Sequence, residues 1–181
     1  MTPLLSALKE LEAVALGMDE AQIESACQTI ARANRIVAYG CGREGLMMRA
    51  LAMRLHHLGK HVAMQGDMAA PPLGPGDLFL CSAGPGELST VTALMGVAQR
   101  DGATVLMVTA EPDHPSPRRA DHLLVIPAQT MARDIGGAST LPMGSLFEGA
   151  MFLVFEIMVL RLTALLDQTP EAMRARHTNM E

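Results

Sequence analysis

The sequence predicts a doubly wound α/β fold: a five-stranded parallel sheet in flavodoxin-like order, with helices on both faces. Three features predict it. Short apolar runs alternate with longer stretches of helical periodicity along the chain. The runs are apolar at nearly every position instead of every second one, as expected of parallel strands buried on both sides. Two of the runs end in glycine-rich turns that open directly into helices, which is how ligand loops form at the carboxyl ends of such strands.

Leu, Val, Ile and Ala recur at helical spacing over residues 4–16 and 20–33, giving two N-terminal helices. The run 35–39 stops at Gly40 and reads as the first strand. Residues 46–58 read as a helix ended by Gly59, and 61–64 as the second strand. Pro71, Pro72, Gly74, Pro75 and Gly76 mark a long turn. A third strand over 77–81, a helix over 89–100 and a fourth strand over 103–109 follow. A single helical turn at 115–120 precedes a fifth strand at 122–127. Residues 129–143 read as a loop centred on Gly136 and Gly137. The helix 146–166 comes next, and Pro170 opens a last short one.

A chain of 181 residues, 49% of them apolar, is expected to form a single domain spanning 1–181. Its net charge of −5 and scattered Lys and Arg argue against nucleic acid as a partner, since phosphate backbones need clustered cations. Cys27, Cys41 and Cys81 form no C-x-x-C pair, and an odd count is a poor disulfide framework. A reducing, cytoplasmic setting follows, and the first residues show no secretory signal. Glu156 and Arg161 interrupt the most apolar stretch, 149–166, so it reads as a buried helix and not a membrane span. The adjacent His56 and His57 point to different faces of their helix and make a poor chelating pair. No metal or cofactor is expected.

The loop Gly40-Cys41-Gly42-Arg43-Glu44-Gly45 joins a strand to a helix start, where amide groups and the helix dipole favour an anion. It also satisfies G-x-G-x-x-G, the dinucleotide fingerprint, with Asp67 near the distance expected of a ribose-binding acid. A dinucleotide, another anion or sugar, and a plain tight turn all fit this loop. The second loop runs Ser82-Ala83-Gly84-Pro85-Gly86-Glu87-Leu88-Ser89. A dinucleotide fold does not need it, whereas a compact polar ligand held between two strand ends uses both. Further on, Ser145 with Glu148 three residues later fits a capping box for the long helix. The polar end 173–181 fits a solvated tail.

Four pieces, in order, resemble the 6-phospho-3-hexuloisomerases of the SIS (sugar isomerase) fold. They are the loop 40–45, Ala52-Met53-Arg54-Leu55-His56-His57-Leu58-Gly59, the segment Pro142-Met143-Gly144-Ser145-Leu146-Phe147-Glu148, and Arg176-His177-Thr178-Asn179-Met180-Glu181. The resemblance implies an aldose–ketose isomerase with Glu148 as the base and His177 as a proton shuttle or ring-opening group. It implies a sugar or sugar phosphate framed by Gly40, Gly42, Arg43, Glu44, Ser82, Ala83, Gly84, Gly86, Glu87 and Ser89. It also implies a homo-oligomer, a tetramer or dimer, with sites shared between subunits. The base and capping uses of Glu148 compete, because one carboxylate cannot serve both.

The departures from that family fall on its phosphate site. Glu44 stands where a serine is usual, Ala83, Pro85 and Leu88 stand where hydroxyls are usual, and Leu141 replaces a glutamine. A carboxylate about 4 Å from a phosphate costs on the order of 4 kcal/mol at an effective dielectric near 20. Each lost hydroxyl donor adds roughly 1 kcal/mol. These changes suggest an altered, unphosphorylated substrate. They also keep open a non-catalytic sugar-binding or regulatory module and, more weakly, a dinucleotide-binding protein.

Overall fold

The computed structural model describes residues 2–134 and 139–180. Two helices, α1 (Pro3–Leu16) and α2 (Glu20–Arg32), precede β1 (Arg35–Gly40). Then come α3 (Gly42–His57), β2 (His61–Met64), β3 (Leu78–Ser82), α4 (Ser89–Arg100), β4 (Thr104–Thr109) and β5 (His122–Val125). The long helix α5 (Ser145–Leu165) and the short α6 (Pro170–Ala175) close the chain. Single 3-10 turns sit at Pro117–Arg119 and Met131–Arg133.

All five strands pair in parallel, in the order β2-β1-β3-β4-β5. The expected sheet and strand order are therefore present. The order reverses between β1 and β3, and a crevice opens there beyond the strand ends. Alternate strand residues face opposite layers. Ile36, Ala38, Leu78, Leu80, Leu106 and Val108 pack with α2, α3 and α5. Val37, Phe79, Cys81, Val105 and Met107 pack with Val91, Met95 and Ala98 of α4.

The helix predicted from residue 46 begins four residues earlier, at Gly42. Two glycines at its start hide it from a propensity reading. Gly45 is needed for contact: a Cβ there would lie 2.5 Å from the Gly40 carbonyl oxygen. The close approach sets the first turn of α3 directly against the end of β1. The fifth strand ends at Val125, two residues short of the expected boundary at Pro127. Gly136 and Gly137 lie outside the described residues. Among the described residues no helix is long and apolar enough to cross a membrane.

Candidate active site

Four segments meet over the carboxyl ends of β1 and β3: the starts of α3 and α5, the loop after β3, and the chain around Thr130. They enclose a cavity of about 300 Å³. Its polar wall carries Arg43, Glu44, Thr130 and Glu148, and Phe147, Leu88, Met131 and Met143 supply apolar surface.

Glu148 does not cap α5, contrary to the capping-box reading. The N-cap position belongs to Gly144 in the left-handed region (φ 78°), and no side chain caps the helix. Ser145 is one residue too late. Its hydroxyl donates to the Pro142 carbonyl oxygen at 2.6 Å and accepts from Arg43 Nη1 at 2.7 Å. Glu148 is thereby left to face the cavity, its side chain only 14% exposed. Its Oε2 has no hydrogen-bond partner, and Arg43 Nη2 stands 3.5 Å away. Burial pushes this carboxyl above the usual glutamate value, and the Arg43 charge offsets part of the rise.

Glu44 reaches across from α3 to the second loop. It accepts a short hydrogen bond from the Ser82 hydroxyl. It also accepts the Gly84 amide, at 3.1 Å to Oε1 and 3.0 Å to Oε2. Burial, with the neighbouring Glu148 charge, raises the Glu44 carboxyl above its ordinary value, while the bonds from Ser82 and Gly84 pull it down.

The remaining predicted residues divide. Gly42 and Arg43 line the cavity. Gly40 supports it by packing under Gly45 and Met48. Ala83 is buried among the side chains over α4, and its amide bonds the Val108 carbonyl oxygen at 3.0 Å, so it faces away from the ligand space. Gly86 packs against Glu111 and His114, and Glu87 and Ser89 are exposed. His177 is not brought to Glu148 within the chain. Its ring stacks on His57, centroids 5.3 Å apart at 30°. His57 is thirteen residues beyond Glu44 on α3, or about 20 Å at ~1.5 Å per residue. The tail does not fray there: Arg176 Nη1 bonds the His57 carbonyl oxygen and Gln168 Oε1, both at 2.8 Å.

Sequence reasoning missed Thr130. It is 3% exposed, and its hydroxyl has no partner. Only the packing of its segment against Gly144 places it in the cavity.

A larger cavity of about 560 Å³ lies on the α4 side of the sheet, under the connection from β2 to β3. Its walls are mostly aliphatic and its carboxylates are engaged. Asp67 accepts the Met64 amide and Asp101 pairs with Arg100. Among the described residues no group of three His, Cys, Asp or Glu is placed to hold a metal ion.

Residues 29–152 match the SIS domain family, and the chain belongs to it. The likeness narrows further. The chain is 33% identical over 172 residues to the 3-hexulose-6-phosphate isomerase of Mycobacterium gastri, covering 95% of this chain and 86% of that one. A solved Methanococcus jannaschii structure, from which a 3-hexulose-6-phosphate isomerase function has been inferred, matches with TM-score 0.85 at 21% identity over 98% of both chains. The Vibrio vulnificus NanR protein complexed with ManNAc-6P matches with TM-score 0.75 at 20% identity, over 96% of this chain and 65% of NanR. At these identities the two structures establish the shared fold.

Proposed function

We propose that this chain is an aldose–ketose isomerase acting on a sugar or sugar phosphate, with Glu148 as the catalytic base. The observation that carries the reading is the Glu148 carboxylate: largely buried, aimed into a small-molecule cavity, its Oε2 without a hydrogen-bond donor. Relatives named 3-hexulose-6-phosphate isomerase support the same chemistry.

Glu148 removes the proton from the carbon beside the carbonyl. The C–H electron pair becomes the C=C bond of an enediolate, and the carbonyl π pair moves onto oxygen. The proton returns from Glu148 to the former carbonyl carbon, and the hydroxyl proton moves between the two oxygens. A carboxyl with a raised pKa is a stronger base when ionised and a usable acid once protonated. Arg43 is placed to hold negative charge as it develops on oxygen. Thr130 offers its hydroxyl to the bound sugar.

His177 serves as the proton shuttle in a homo-oligomer, from a second copy of the chain. Two observations support this: its distance from Glu148 of the same chain, and the exposed Leu153, Ile157 and Leu160 along α5. A cytoplasmic setting suits the three free thiols, Cys27, Cys41 and Cys81.

The test is deuterium incorporation from solvent into ketoses, followed by NMR. The wild type incorporates deuterium beside the carbonyl and forms the isomer. Glu148→Gln loses ~10²–10⁴ in kcat while still binding sugar, the usual contribution of a positioned base. Exchange that survives in Glu148→Gln removes it as the base. One observation favours a regulatory sugar-binding module instead: Glu44 already fills the Gly84 amide. That module binds sugar with no exchange at all.

A further inference from the structure

The carboxylate of Glu44 occupies donors that the end of β3 offers to a ligand. The Ser82 hydroxyl is fully buried and donates to Glu44, and the Gly84 amide does the same. Three further positions of the loop supply no free amide donor. The Ala83 amide is bonded to Val108 at 3.0 Å, the Gly86 amide to Ala83 at 2.9 Å, and Pro85 has no amide proton. The packing is closed as well. A Cβ on Gly84 would stand 2.9 Å from Phe147 Cε1 and 3.0 Å from Glu44 Oε1.

The charges agree with the geometry. Glu44 and Glu148 face one cation in the cavity wall, Arg43, which already contacts Glu148 and Ser145. A phosphate ester with nearly two negative charges would add to two carboxylates in a partly buried site, where repulsion is stronger than in water. A neutral hydroxyl meets the opposite situation. A carboxylate offers about four acceptor positions, and Ser82 and Gly84 do not exhaust them. The same cavity holds the Thr130 hydroxyl, buried and unpartnered, a group suited to a neutral hydroxyl.

We propose that Glu44 sets the substrate class of this site: the end of the sugar held between α3 and the second loop carries hydroxyl groups that donate to Glu44, and no phosphate. The proposal rests on the isomerase reading and adds the ligand's chemical class to it.

The test compares matched pairs, D-ribulose with D-ribulose 5-phosphate and D-fructose with D-fructose 6-phosphate. Binding is read by calorimetry and turnover by deuterium exchange, for wild type, Glu44→Ser and Glu44→Gln. The wild type is expected to prefer the free ketose of a pair at least tenfold in kcat/KM. Glu44→Ser is expected to shift that ratio at least tenfold toward the ester. Glu44→Gln keeps the shape without the charge and shifts it less; it also serves if the serine variant fails to fold. A wild type that exchanges the ester as well as or better than the free ketose overturns the proposal and leaves the isomerase reading intact. A ratio that neither variant moves overturns it too. Absence of exchange on every sugar sinks the isomerase reading and the proposal with it.

Discussion

Thr130 shows how much one hydroxyl can report. An unpaired buried hydroxyl costs roughly 1–3 kcal/mol, so a folded protein keeps one at a price that needs a reason. A ligand hydroxyl is such a reason. Thr130→Val is therefore expected to raise Tm, by ~2–4 °C for each kcal/mol recovered, and to lower kcat/KM about tenfold, mainly through KM. Thr130→Ser should restore the KM. A valine variant that melts lower and keeps its KM would mean that the hydroxyl serves the fold. Nothing in the sequence marks Thr130, because its burial depends on segments distant in the chain. Glu148 was legible, but so was a false partner for it. Ser145 and Glu148 have the spacing of a capping box, and only the left-handed Gly144 shows that the helix starts one position away from that pattern.

At the scale of elements, the start of α5 carries the site. Gly144 adopts φ 78°, and a Cβ there would lie 2.3 Å from the Met131 amide nitrogen and 2.8 Å from the Thr130 carbonyl carbon. Both contacts are to backbone, so no rotamer change relieves them. Left-handed backbone alone costs a non-glycine residue about 1–2 kcal/mol. Gly144→Ala should cost more than this in urea unfolding and should lower kcat/KM by separating Thr130 from Glu148. Unchanged stability would mean that the segment yields easily. The strands and their parallel pairing were readable because continuous apolar runs bounded by glycine admit few other arrangements. The start of α3 was not, since glycine lowers helix propensity at the place where contact with β1 demands it.

For the whole molecule, the sheet order follows from alternating strands and helices, whereas the proposed meeting of His177 with Glu148 requires a second copy of the chain. Leu153, Ile157 and Leu160 are spaced to share one face of α5, and all are exposed in the single chain. In the proposed oligomer, Leu160→Glu is expected to dissociate the subunits in analytical ultracentrifugation and to reduce activity together with it. Mixing Glu148→Gln with His177→Ala should recover activity absent from either alone, because some sites then combine a native Glu148 with a native His177 from another copy. No recovery in a mixture shown to exchange subunits would place both residues in one chain's site.

The clamp of Arg176 and the stacking of His177 on His57 bear on when order is acquired. Fixing a residue's backbone costs about 1–2 kcal/mol in lost conformational entropy. Here the terminal segment surrenders that freedom once, as the chain folds, so in the proposed shuttle role its imidazole would reach a neighbouring site already ordered, with no search by a loose tail at each turnover.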